Sequence, residues 1–176
     1  PDRLDAALRG LAALGFRGCN ITLPHKERAL ALIDRVSDTA RRIGAVNTVS
    51  VEEDGTLSGD NTDAFGFIEN LREGAPGFKA DRGPSVVVGA GGAARAVIAA
   101  LLDDGAPEIR LVNRTAARAQ SLGDAFGARI RVVDWERRAA SLDAASLLVN
   151  TTTQGMQGQA PLDLDLARLP VDAVVN

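Results

Sequence analysis

Three short stretches of this 176-residue chain hold side chains and backbone suited to chemistry. In "VVVGAGGAARA", Gly89, Gly91 and Ala94 match the pattern G-x-G-x-x-G/A, after a strand-like run and at the opening of a helical one. In that setting the first glycine permits a tight turn and the second lets backbone approach a pyrophosphate. The small third residue lets the helix pack close to the strand. Phosphates then rest on the free N–H groups of the helix N-terminus. The bland alternative is a tight strand-to-helix turn with no ligand.

The second stretch, "LVNRTAAR", decides between two forms of dinucleotide. A site for NAD carries Asp or Glu near the end of the second strand, to bond the ribose 2′-hydroxyl. Here Asn113, Arg114 and Thr115 stand in that place, with Arg118 one turn further on. Cations at a helix start are electrostatically misplaced unless an anion joins them. A 2′-phosphate is such an anion, and a guanidinium grips it through two N–H groups. The spacing therefore favours NADP over NAD. The alternative is a solvated pair of surface arginines.

The third stretch is "NITLPHK", residues 20–26, in which Lys26 falls where a helix should begin. On spacing alone Lys26 reads as a surface lysine whose stem covers apolar area. Asp63, before "AFGFIENL", reads as a helix N-cap, and Asn47 and Asn61 as turn residues.

The elements that position these residues follow from periodicity. "DRLDAALRGLAALG" has Leu4, Leu8, Leu11 and Leu14 at helical spacing, with Gly15 as the stop. "FRGCNITL" reads as a strand, "PHKERALALID" as a helix with Pro24 near its first position, and "SDTARRIG" as a helix capped by Ser37 or Asp38. "AVNTVSVEEDGTLSGD" reads as a strand, a turn at Asp54-Gly55 and a return, and "DAFGFIENLRE" as a helix. "GAPGFKADRGP" has no period and is rich in Gly and Pro, so the expected domains are 1–80 and 81–176. Beyond it strands ("PSVVV", "EIRLVNR", "RIRVVDW", "SLLVNTT", "DAVVN") alternate with helices, one of them "ERRAAS". Strands apolar throughout, alternating with helices, predict a parallel sheet covered on both faces.

Composition narrows the function. Net charge is −3, which gives no bulk attraction to nucleic acid or an anionic membrane. Aromatics are only 3% of residues, too few for base-stacking platforms. No apolar run is long enough to span a bilayer, and the opening "PDRLDAALRG" lacks the core of a signal peptide. The single Cys19 forms no internal disulfide and suits a reducing, cytoplasmic setting. It is expected as a small buried apolar residue, with Trp135 capping the core of the second domain. The ends at Pro1 and Asn176 read as those of a fragment.

Six ordered motifs now carry a resemblance. "GFRGCNITLPHK", "GAVNTV", "GDNTDAFG", "GAGGAARA", "NRT" and "NTTTQGM" resemble, in order, the signatures of the shikimate dehydrogenase family, over essentially the whole chain. The resemblance implies an α/β architecture: a substrate domain, here incomplete, and a Rossmann-like NADP-binding domain, with the active site in the cleft between them. It implies reduction of 3-dehydroshikimate to shikimate with NADPH. Lys26 and Asp63 correspond to the catalytic pair, and Thr22, Asn47 and Asp63 to residues that bond the substrate hydroxyls; the resemblance also raises Asn61 from a turn residue to a substrate contact. Gly89, Ala90, Gly91, Gly92 and Ala93 correspond to the cofactor loop. Asn113, Arg114, Thr115 and Arg118 correspond to the adenosine-phosphate pocket, and Thr151 and Met156 to the loop near the nicotinamide. Partners would be the small-molecule substrate and, compatibly, a second copy in a homodimer. The chain departs from the family in lacking an N-terminal strand–helix–strand with a Ser-x-Ser motif. It also lacks a Tyr-bearing segment and a helix with a substrate-binding Gln.

Under this reading the position of Lys26 acquires a purpose. Hydride transfer to a ketone leaves charge on oxygen, which an ammonium can stabilise and then protonate. A helix start and partial burial disfavour the charged lysine, while Asp63 orients it. His25, the only histidine, is expected in a local hydrogen-bonding role. Two other readings stand beside this one: a quinate/shikimate dehydrogenase that uses NAD, against which the missing acid argues, and a non-catalytic regulatory relative. Retention of both Lys26 and Asp63 argues against the latter. A fragment that binds cofactor without turnover is a further case.

Overall fold

The computed structural model describes residues 2–176, which divide into two compact units, the first ending at Gly66 and the second beginning at Phe67. The expected boundary at 80/81 is thus displaced into a helix. The reason is that Phe67 and Leu71 pack into the second unit's core with Phe78 and Ala80.

The first unit is a four-stranded sheet with helices. Helix α1 (Leu4–Ala13) turns Leu4, Leu8 and Leu11 onto a core of Ile21, Ala29, Ile33, Val46, Val49 and Leu57. Strand β1 (Gly18–Asn20) follows, then α2 (Lys26–Leu30), β2 (Arg35–Val36), α3 (Asp38–Ile43), β3 (Thr48–Val51), β4 (Leu57–Asp60) and the first turn of α4 (Asp63–Gly74), whose remainder belongs to the second unit. Strand order is β1-β3-β4-β2, antiparallel except for the β2/β4 pair. Helix α3 starts at the expected cap, with the Ser37 hydroxyl accepting the Ala40 N–H at 3.0 Å. It stops at Gly44, whose left-handed φ of +76° suits the residue after a helix.

The helix expected over 24–34 is shorter: it spans Lys26–Leu30, and β2 begins directly after the last expected residue, Asp34. Asp34 explains the change. Its carboxylate accepts the Leu57 N–H at 2.8 Å and two hydrogen bonds from Arg9, at 2.7 and 2.8 Å. These bonds draw the chain out of the helix and onto β4, while Ile33 goes into the core.

The second unit holds β5 (Ser85–Val88), α5 (Gly92–Asp103), β6 (Ile109–Val112), α6 (Ala116–Phe126), β7 (Ile130–Val133), β8 (Leu147–Asn150) and β9 (Val174–Val175). All strands are parallel, in the order β7-β6-β5-β8-β9. Side chains alternate between the two faces. Val87, Leu111, Leu147 and Val149 pack with residues of α5 and α6, while Val86, Val88, Val112 and Leu148 pack on the other side. Full burial of such side chains contributes about 1.5–3 kcal/mol each. The second face is covered by a 3-10 helix (Trp135–Leu142) where "ERRAAS" predicts an α-helix, and by Leu162, Leu164 and Leu169 of an extended segment. Arg138 pins that segment: it donates to the Asp163 carbonyl and carboxylate and lies 4.7 Å over the Trp135 ring.

Candidate functional site

Register in the first unit brings three chain segments level. Asn20 pairs with Thr48, and Thr48 with Asp60, so β1, β3 and β4 meet others at the same edge. Just outside lie Thr22 to Lys26, Ala45 to Asn47, and Asn61 to Asp63. The tripeptide Ala45–Asn47 joins them: Val46 N–H donates to the Lys26 carbonyl at 2.9 Å, and Asn47 N–H to the Asp60 carbonyl at 3.0 Å.

At this edge the Lys26 Nζ lies 2.7 Å from Asp63 Oδ2, with the lysine side chain 15% exposed and the aspartate 30%. The other carboxylate oxygen, Oδ1, accepts from Asn47 Nδ2 at 2.7 Å. Asn47 is buried and its amide is fully engaged. Its second Nδ2 hydrogen goes to Thr62 Oγ1, and its Oδ1 accepts from Thr62 N–H and Thr48 Oγ1. A substrate contact to Asn47 would have to share these bonds. Thr22 is exposed and its carbonyl accepts the His25 N–H, closing the turn before α2.

The placement of Lys26 at a helix start costs little. Helix α2 is only five residues long, Glu27 stands in its first turn, and Asp63 supplies the counter-charge. His25 stands at the N-cap of α2 without a side-chain cap bond, so the expected hydrogen-bonding role for its ring is not found there. Cys19 is half-buried against the first core, and burial pushes its thiol up, away from the reactive thiolate.

What remains free on the pair is chemically specific. An ammonium has three N–H donors and a carboxylate about four acceptor sites. One ammonium hydrogen and two carboxylate sites are used by the bonds above. The pair can therefore donate to an oxygen and accept from a hydroxyl at the same time.

In the second unit the register of β5, β6 and β8 sets Val88 beside Val112 and Asn150. Gly89, Asn113 and Thr151 consequently emerge from the same ends of adjacent strands. Order reverses at β5, and this switch point is where open α/β sheets hold ligands. Gly89 has φ +112°, and a Cβ there would clash with Thr151 Oγ1. Thr151 in turn donates its hydroxyl to the Val88 carbonyl at 2.7 Å. Its hydroxyl thus bonds the end of β5, directly before the glycine loop. Glycine is required at 89 by conformation and by space alike.

The loop suits a dinucleotide. A Cβ at Gly91 would meet nothing within 4 Å, and Gly91 caps α5 without a side-chain bond to its first N–H groups. No acid stands in the first turn of α5 or of α6. Ala90, Gly91 and Ala93 are partly exposed and Gly92 is buried. Asn113 turns its amide back onto the Thr115 carbonyl at 2.9 Å. Arg114, Thr115 and Arg118 are exposed, and neither arginine is drawn into an ion pair among the described residues. Met156 is 58% exposed, in the segment after β8.

Fold and glycine loop define the class: a two-unit α/β protein whose second unit is of Rossmann type. A family model described as the shikimate dehydrogenase substrate binding domain matches residues 1–49, and one described as shikimate / quinate 5-dehydrogenase matches residues 78–157. The chain belongs to the shikimate dehydrogenase family. It is 57% identical to the shikimate dehydrogenase (NADP(+)) of Paramagnetospirillum magneticum, over all of this chain and 64% of that protein. Among solved structures, quinate dehydrogenase from Corynebacterium glutamicum in complex with NAD superposes with a TM-score of 0.88, at 36% identity over 98% of this chain and 62% of that one. Shikimate 5-dehydrogenase from Thermus thermophilus in complex with NADP(H) and shikimate gives 0.83, at 42% identity over 99% and 62%. The chain thus spans less than two thirds of the length of these relatives.

Proposed function

We propose that this chain carries the catalytic pair and the cofactor loop of an NADP-dependent shikimate dehydrogenase. The reaction is reversible hydride transfer between NADPH and 3-dehydroshikimate, giving shikimate, in aromatic amino-acid biosynthesis. The observation that carries the reading is the part-buried Lys26–Asp63 ion pair at 2.7 Å, with Asp63 braced by Asn47. The relatives named shikimate dehydrogenase (NADP(+)) support it.

NADPH, when bound, supplies the hydride. The remaining work falls to the chain's own residues. Lys26 donates a hydrogen bond to the ketone oxygen, stabilises the charge that develops there, and delivers a proton to it. Asp63 holds the ammonium on one oxygen and accepts a substrate hydroxyl with its remaining lone pairs. Thr22, exposed at the same edge, offers a further hydroxyl. In the second unit, Gly89 to Ala93 bring backbone N–H groups to the pyrophosphate. Arg114 and Arg118, with Asn113 and Thr115 shaping the turn, receive the 2′-phosphate. Thr151 holds the glycine loop in place, and Met156 offers apolar surface near the nicotinamide.

The NAD-linked quinate alternative has a named structural relative. It calls for a carboxylate at the end of β6, where this chain has Asn113-Arg114-Thr115. The test is NADPH consumption by the full-length protein with 3-dehydroshikimate, beside the NADH and quinate controls. Turnover with NADPH and 3-dehydroshikimate supports the reading. Turnover confined to NAD and quinate supports the alternative.

A further inference from the structure

A buried asparagine next to the catalytic pair has a geometry that neither substrate nor cofactor contact explains. Asn61 is 3% exposed and is fixed at three points. Its N–H donates to Asp60 Oδ1 at 2.7 Å, and its Nδ2 donates to the Ala45 carbonyl at 2.9 Å. Its Oδ1 accepts the N–H of Asp63 at 3.0 Å. The brace continues outward, because Asp60 Oδ1 also accepts the Ser37 hydroxyl at the cap of α3. Ala45 is itself wholly buried, so its carbonyl depends on Asn61 for a partner.

We infer that Asn61 is a positioning residue for Asp63, resting on the catalytic reading of that residue given above. Asp63 begins α4, and its side chain can hold Lys26 only if its backbone is fixed there. Asn47 fixes the carboxylate, and Asn61 fixes the backbone that carries it. Both braces return to one tripeptide, Ala45–Asn47, whose middle residue also bonds the Lys26 carbonyl. Lys26 and Asp63 are thus referenced to the same piece of chain. Displacement of a catalytic group by about 1 Å can cost up to about a hundredfold in rate.

The experiment uses Asn61→Ala, Asp63→Asn and the double variant of the full-length protein, with thermal unfolding measured for each. Asn61→Ala is expected to lower kcat/KM between about ten- and a hundredfold. In the Asp63→Asn background the same change should cost less than about threefold, because its effect runs through Asp63. A loss of equal size in both backgrounds makes Asn61 a merely structural residue and overturns the inference. A second readout needs no turnover: the ammonium hydrogens of Lys26, followed by NMR, should exchange with solvent faster in Asn61→Ala than in wild type. Unchanged exchange in a folded variant also overturns it. If the wild-type protein reduces no 3-dehydroshikimate, the functional reading fails, and the exchange measurement alone decides the positioning.

Discussion

The Lys26 ammonium and the Asp63 carboxylate, 37 residues apart in sequence, meet at 2.7 Å at one edge of the first sheet. Both groups are partly shielded from water, so their attraction is screened less than that of a surface pair. The bond uses one hydrogen of the ammonium and one oxygen of the carboxylate. Capacity remains on each for a substrate.

Asp63→Asn should lower kcat and raise KM for shikimate together, since the residue is assigned both to a hydroxyl and to Lys26. If the pair acts as a unit, Lys26→Ala with Asp63→Asn should be little worse than the more damaged single variant. Steady-state kinetics of the three variants decides this, and fully additive losses would separate the two roles.

Arg114→Ala should weaken NADPH binding by ~1.5–3 kcal/mol, the range for a hydrogen bond to a charged group. NADH binding should change little. Calorimetric titration with both cofactors tests it, and equal losses would remove Arg114 from the choice between them.

Gly89→Ala should destabilise the second unit by roughly 1–3 kcal/mol from backbone strain, with the added clash of its Cβ on Thr151. Thermal unfolding should show a lowered transition and weaker NADPH binding. An unchanged midpoint with normal affinity would show that the loop relaxes freely.

Asp34 gives the expected pH dependence. The Leu57 N–H and Arg9 hold its carboxyl below the ordinary aspartate value. A depressed folded-state pKa stabilises fully above the unfolded value, about 3.9. That contribution is lost as pH falls through the lower folded value. Asp34→Asn should therefore be less stable than wild type at neutral pH, and the gap should close as the pH drops below about 4. A gap that stays constant with pH would mean that ionisation of Asp34 contributes nothing.

Much of this was legible in the residues because the signals were local. The β-branched run before Gly89 and the alternating helices announced the parallel sheet. Ser37, offered beside Asp38 as the cap, announced the start of α3. Strand β2 left no local signal, since a two-residue strand has no period, and its formation depends on Asp34 reaching Arg9 and Leu57 across the fold. The cover of "ERRAAS" was legible but not its 3-10 form. At the site, Lys26 and Asp63 were named from ordered motifs. The saturation of Asn47 and the bracing by Asn61 were not, because both arise from the register that sets Asn20, Thr48 and Asp60 side by side.

The central claim is that Lys26 acts in the transition state. Its most direct test is steady-state kinetics of Lys26→Ala in the full-length protein, at saturating NADPH with 3-dehydroshikimate varied. A lost general acid lowers kcat by ~10²–10⁴, and KM should change little because the developing oxyanion exists only during reaction. A normal kcat with a raised KM would contradict the account and leave Lys26 as a binding residue.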